Sequence, residues 1–518
     1  MKSIPLPTKL VIALICLVLL SACTLPQSTS IPSTRVPDII FPQPLPTATP
    51  SLQPPTLPPS PTTGGSLPTL TPLPSSSLPS TTYTLTVQFT DNDHYLWIAE
   101  SIRYVNHTDV ALPDLLLVVR PERWPGSFVL GSLTWDNGAF VQGHTMDGYL
   151  LHIPLAQPLA PGGSLGLSLT YELFLPEIPP PEQAPRPLPY GYTARQTNLV
   201  DWYPYLPPYR AGEGWLAHEP GYFGEYLVYD IANYHVEINI AEPLAGLVMA
   251  ASVPAVQEGS VFTFNLHDAR NFVWSVSTQY QVATTTVGEV TIFSYFFPYH
   301  TSGGQEVLQN TADAVALYSN LFGSYPHTSL SIVEADFLDG MEYDGLYFLS
   351  NGFYDLYDGT PRGYLTAIAA HETAHQWWFG LVGNDQALEP WLDEALCTYM
   401  ERLFYENIYP EYPAGSGENL ADWWWEFRVE YYQPAGWVNG TVYDFDGFRP
   451  YRDAIYLHGA QFLEELRFQV GDDVFFAFLR DYATRFSYRQ ATAQDFFAVL
   501  SEHTTADLGN LINTYFHP

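Results

Sequence analysis

Two histidines four residues apart, His371 and His375, stand in the stretch HETAHQWWFG, with Glu372 beside the first. On an α-helix, positions i and i+4 share a face, so both imidazoles project the same way. Two imidazoles at this spacing can reach one zinc ion at about 2.0–2.1 Å. Glu372 lies about 100° further round such a helix, off the ligand face but within reach of a water on the ion. This is the geometry of H-E-x-x-H on a helix. A catalytic zinc also needs a third protein ligand and an open position. Glu394 follows His375 after eighteen intervening residues, in EPWLDEALCTY. A two-His, one-Glu donor set suits a single Zn2+ better than iron, copper or magnesium. Taken by itself, Glu394 is equally readable as a solvated helix carboxylate, as are its neighbours Glu389 and Asp393.

The elements that must position these groups are legible around them. Residues 363–379 contain no proline, and Gly380 is a natural stop, which predicts a helix over 365–379 with Ile368 and Trp378 above and below the histidines. Pro390 opens a second helix, to about 405, that can carry Glu394 back beside the first. Cys397, three residues beyond Glu394, is expected to pack within that helix. From about residue 286 the apolar pattern is mostly helical, as in GGQEVLQNTADAVALYSNLFGSYP, over 453–468, over 472–482 and over 492–502. LSIVEAD (330–336) and GLYFLS (345–350) read as strands. Ahead of them, from Thr82 to about 285, runs such as YTLTVQF, YLWIAESIRYVN, LGLSLTYELF and EYLVYDIANYHVEINIA alternate with turn clusters, the pattern of an antiparallel β domain. Its many tyrosines and tryptophans read as strand and core residues, with a carbohydrate-binding face as the sharper alternative.

With HETAHQWWFG, the eighteen-residue spacing and WLDEALCTY in place, the chain resembles the gluzincin zinc aminopeptidases, the family of aminopeptidase N and leukotriene hydrolase. Asp393 and Ala395 stand where the family has Asn and Gly; neither is a ligand. The resemblance implies a multidomain protein: an N-terminal antiparallel β-sandwich or saddle domain (82–285), then a thermolysin-like α+β, mostly helical zinc peptidase domain (286–518). It implies His371, His375 and Glu394 as ligands of one zinc ion and Glu372 as general base. LDGMEYDGLYFLS resembles the family's G-x-M-E-N segment, so Gly340, Met341 and Glu342 would bind the peptide backbone and Glu342 would capture the free α-amine; Asp339 and Tyr343 depart from the pattern. YRDAIYLHGAQFLEEL resembles the Y-x-K-G-A helix, so Tyr456 would donate to the oxyanion, with His458 in place of Lys. In RQTNLVDWYPYLP, Gln196 is the candidate for a further amine-site residue. The implied substrates are peptides. The chain's end at Pro518, short of a further helical domain, suggests a more open cleft.

Composition narrows the partners. The chain has 518 residues and a formal net charge of −35, which argues against nucleic acid, whose phosphates need clustered Lys and Arg. Three cysteines, Cys16, Cys23 and Cys397, build no disulfide framework. Lys2 and Lys9 precede the apolar run 10–20, too short to span a bilayer. Leu20-Ser21-Ala22-Cys23 resembles the lipobox of bacterial lipoproteins, which implies a signal peptide over 1–22, a lipid on Cys23, and an extracytoplasmic protein anchored to a bacterial membrane. Residues 23–81, almost wholly Pro, Ser, Thr and Leu, cannot bury enough apolar surface to fold and read as a stalk with a reach on the order of 150 Å. The reading that results is a zinc aminopeptidase. The alternatives are an endopeptidase or atypical gluzincin hydrolase, suggested by Asp339, and a catalytically inactive surface-binding lipoprotein. Oligomeric state is not encoded in any of these features.

Overall fold

The computed structural model describes residues 81–180, 189–241 and 245–517. Cys23, the apolar leader and nearly all of the Pro-rich segment lie outside the described residues. Among those described, no helix is long and apolar enough to cross a membrane.

The N-terminal part is built from sheets. Strand Thr81–Thr90 alternates buried and half-buried residues, turning Tyr83, Leu85, Val87 and Phe89 inward, as a one-sided strand must. It pairs antiparallel with Tyr95–Val105 and sits inside a seven-stranded sheet. The expected antiparallel arrangement has one exception: Thr81–Thr90 runs parallel to Ala232–Ile240. The parallel pair is possible because about 140 residues, including three further strands of the same sheet, intervene between the two strands, far more than the crossover a parallel pair requires.

The stretch EYLVYDI, expected as a strand, is irregular; the strand begins only at Ala232. Its polar groups are served by side chains instead of a ladder. The Tyr229 carbonyl accepts from Arg270 and Gln490, and the Tyr229 hydroxyl donates to Asp201. Satisfied backbone need not be regular backbone.

The second part opens with the hairpin Gln281–Val287 and Val290–Phe296, which belongs to a five-stranded sheet completed by Ser329–Ala335, Leu346–Ser350 and Gly340–Tyr343. Gly340–Tyr343 is the edge of that sheet, antiparallel to Leu346–Ser350. The long helix Thr301–Phe322 packs on the sheet and on helix Tyr364–Ala374, which in turn meets helix Trp391–Ile408. Trp391, at the start of the latter, is fully buried among Phe462, Phe496, Phe497 and Phe516, which ties it to the helices Gly459–Val470 and Ala493–His503. The β-rich and helical parts share one continuous apolar core.

Candidate metal and peptide site

Helix Tyr364–Ala374 ends at its C-cap His375, five residues before the expected stop at Gly380. The next residues form wider turns, with the amides of Gly380, Leu381 and Val382 donating to the carbonyls of His375, Gln376 and Trp377. The cause lies in the other half of the molecule. Arg270, at the end of strand Val261–Ala269, is buried and donates to the carbonyls of Phe379, Gly380 and Leu381, and also to those of Tyr229 and Arg489. These carbonyls are aimed at one guanidinium rather than along a helix axis. Phe379 adopts φ 145°, a region that disfavours any residue with a Cβ and costs about 1–3 kcal/mol. Burial lowers the pKa of Arg270 to about 10, still charged at neutral pH.

The histidines do share a face. His371 Nε2 lies 3.2 Å and His375 Nε2 3.7 Å from Glu394 Oε2. The three donor atoms lie within 4.8 Å of one another, and all three side chains are buried. The opposite nitrogens are already engaged: His371 Nδ1 with Glu401 at 3.0 Å and His375 Nδ1 with the Trp378 carbonyl at 3.1 Å. Those partners hold both rings so that each Nε2 faces inward toward Glu394. Glu401 is held in turn by Trp424 Nε1 at 2.9 Å and by Arg428 Nε at 3.1 Å. Neither Glu401 nor Arg428 was singled out in the sequence. Glu401 is one turn pair beyond Glu394 on the same helix, and that spacing was the available signal.

The electrostatics ask for a cation. Burial pushes Glu372 and Asp393 well above the usual carboxylate range and raises Glu342. Burial alone would raise Glu394 too, but hydrogen bonds from His371 and His375 hold it well below its ordinary value. Burial would likewise lower His371, yet Glu394 and Glu401 hold it up at about 9. One Glu372 oxygen, Oε2, is buried without a hydrogen-bond partner among the described residues. Two imidazole lone pairs, one carboxylate and a nearby orphaned carboxylate oxygen fit a divalent zinc ion with a water beside Glu372. Cys397 is buried, with its sulfur 3.9 Å from the Trp378 carbonyl and in hydrogen-bond contact with His375.

The edge strand borders this cluster. A Cβ on Gly340 would overlap the Glu372 carboxylate, so only glycine lets the strand pass so close. Asp339, at φ 84°, takes a left-handed turn usually left to glycine and open to Asp. Its carboxylate accepts from the Gly340 amide at 3.2 Å. Glu342, His375 and Glu372 present ligand atoms within 4.8 Å of one another. Gln386 bridges Glu342 and Asp393 at 3.0 and 2.9 Å. Gln376 ties the strand to the histidine segment, donating to the Tyr343 carbonyl and accepting from the Gly345 amide, both at 3.0 Å. Met341 lines the cavity beside Glu342.

Tyr456 lies on a π-helical turn, Asp453–His458, a distortion common at functional sites. Its ring is parallel to His371 at 6.1 Å. His458 faces the other way, bonded to the Gly436 carbonyl at 2.7 Å. Gln196 does not join the site. Its amide donates to Tyr280 at 2.6 Å and to the Glu334 carbonyl at 3.2 Å, and accepts from the Asp336 amide at 2.7 Å. It clamps the end of strand Ser329–Ala335 and is absent from the cavity wall. Its place in the RQTNLVDWYPYLP segment gave no indication of which face it takes.

With this arrangement in hand, residues 307–515 match the family model described as the peptidase family M1 domain. Aminopeptidase M1-D of Oryza sativa subsp. japonica is 26% identical over 221 residues, 41% of this chain and 25% of its own length. Human aminopeptidase O is 25% identical over 254 residues, 43% of this chain and 30% of its own. The match thus spans less than a third of these relatives. The crystal structure of the M1 zinc metallopeptidase from Deinococcus radiodurans superposes with a TM-score of 0.60 over 86% of this chain and 95% of its own, at 18% identity, and so shares the M1 fold of β-rich and helical parts.

The hydrogen-bond chain behind His371 generates a test. Glu401→Ala should weaken zinc binding about 10–100-fold, read by competition with a chromogenic chelator. Unchanged zinc affinity would mean that Glu401 does not position the ligand.

Proposed function

We propose that the protein is a zinc-dependent aminopeptidase that removes N-terminal residues from peptides. The observation that carries this reading is the buried Glu342, whose carboxylate comes within 4.8 Å of donor atoms of both His375 and Glu372. A carboxylate there pairs with a cationic α-amine and leaves room for one residue between the amine and the reacting carbonyl. His371, His375 and Glu394 would hold the ion. Bound there, Zn2+ supplies a Lewis acid that polarises a carbonyl and lowers the pKa of a water.

The chain's own groups do the rest. The free edge of Gly340–Tyr343 takes the peptide backbone by strand addition. Glu342, held by Gln386, pairs with the α-amine. Glu372, whose pKa burial raises, takes a proton from the attacking water and returns it to the leaving amine. Tyr456 donates its phenolic hydrogen to the tetrahedral oxygen without adding charge. Crystal structures of a Deinococcus radiodurans M1 zinc metallopeptidase mutant with a Tyr-Ser-Ala substrate and of a two-domain M1 zinc metallopeptidase mutant with L-arginine support short free-amine peptides as the substrate class. An endopeptidase would not need a buried carboxylate at this distance.

Glu372→Ala should retain one zinc per chain and lose at least about 1,000-fold in kcat, within the range of acid–base contributions. N-acetylated peptides should resist the wild-type enzyme, and a chelator should abolish cleavage of free ones. Cleavage of acetylated and free peptides at similar rates would contradict the exopeptidase reading. The lipobox resemblance at Leu20-Ser21-Ala22-Cys23 supports extracytoplasmic anchoring to a bacterial membrane, at the cell surface or a periplasmic face. Cys23→Ser should then abolish palmitate labelling and release the protein from membranes; a labelled C23S protein would refute the anchor.

A further inference from the structure

Beside Glu342, a small cavity of about 40 Å3 that opens to solvent is walled by Met341, Tyr226, Tyr229, Tyr343 and Phe379. Two charged groups in this wall serve each other. Arg120 and Asp201 are buried and form an ion pair, which Tyr226 and Tyr229 complete with their hydroxyls. Glu342 is held by Gln386 and turned to the metal cluster. Glu225 reaches the cavity from a half-exposed position. Asn271, whose Nδ2 is buried without a hydrogen-bond partner among the described residues, and Gln386 add two amides to the wall; the rest of the surface left for a ligand's side chain is aromatic and thioether.

Phe379 is the unusual member. Its φ of 145° suits glycine, yet a phenylalanine stands there, four residues past His375, with its ring edge-on to Tyr229 at 6.3 Å. The fold keeps it in place through the Arg270 grip on the carbonyls of residues 379, 380 and 381. A glycine would satisfy the turn without strain. What the phenylalanine adds is a ring in the cavity wall, next to the residues that flank the amine carboxylate.

Resting on the aminopeptidase reading, we propose that this cavity receives the side chain of the substrate's N-terminal residue, that it selects apolar side chains, and that Phe379 sets the size it accepts. Phe379 is then a specificity-determining residue, with Arg270 as the positioning residue behind it.

The test uses the zinc-loaded full-length protein and a panel of aminoacyl reporters carrying Ala, Leu, Phe, Trp, Arg, Lys or Glu. The wild type should favour Leu or Phe over Arg, Lys and Glu by about tenfold or more in kcat/KM, the scale on which apolar pockets discriminate. Phe379→Gly should keep its zinc and raise the ratio of Trp to Ala turnover by about tenfold, with the gain confined to large side chains. Phe379→Ala serves as a second variant should the glycine variant fold poorly. A purely structural ring would lower all substrates together and leave their ranking within twofold, which overturns the proposal. A wild-type preference for Arg or Lys also overturns it, in favour of Glu225 as the selector. If no free aminoacyl reporter is cleaved, the aminopeptidase reading itself fails. Calorimetric binding of L-leucine, L-tryptophan, L-arginine and L-glutamate to wild type and Phe379→Gly then still ranks the cavity, and an unchanged order between the two proteins refutes the role of Phe379.

Discussion

Glu342, Glu372, Asp393, Glu394 and Glu401 are all buried around two imidazoles. Carboxylates out of water repel one another and lose hydration, so such a group persists only if something cationic compensates. Arg428 does this for Glu401, and Gln386 shares its two hydrogens between Glu342 and Asp393. For Glu394, whose partners are the two Nε2 atoms, a divalent ion is the natural complement. The placement of helices Tyr364–Ala374 and Trp391–Ile408 follows from the need to bring these donors together. Trp391 buries the start of the second helix among four phenylalanines, just before Asp393 and Glu394.

The β-rich part is not a passive appendage to this centre. Arg270 comes from the end of one of its strands and determines where the histidine helix stops. Asp344, just past the edge strand, accepts from the Arg270 amide at 2.8 Å and from His327 at 2.6 Å. The irregular stretch after Glu225 supplies Tyr226 and Tyr229 to the cavity. The amine carboxylate, the strained Phe379 and the tyrosine wall therefore meet at the junction of the two parts. Ligand sites commonly form at such junctions, where apolar walls and a few polar groups from different elements converge.

The metal donors were legible in the sequence because their logic is local. H-E-x-x-H declares a helix face, and Pro390 announces the helix that returns Glu394. Gly340, Glu342 and Tyr456 were reached only through family resemblance, since nothing in their own neighbourhoods places them beside His371. Gln196 illustrates the limit of that route: resemblance located its segment but not the direction of its side chain, which turns to Tyr280 and Asp336. The helix stops short of its sequence pattern because Trp377, Trp378 and Phe379 continue an apolar run that the distant Arg270 interrupts. Asp339, a departure from the family pattern, finds its explanation in a backbone angle that no composition reveals. Glu401, Gln376 and Gln386 were illegible for the same reason: a polar residue's partner is set by tertiary contact.

The most direct test of the central claim is anomalous scattering at the zinc edge from crystals of the zinc-loaded protein. The account predicts one ion bonded to His371 Nε2, His375 Nε2 and Glu394 at about 2.0–2.2 Å, with Glu372 outside its ligand shell. An ion held elsewhere, or one ligated by Glu372 or Cys397 in place of Glu394, would contradict it.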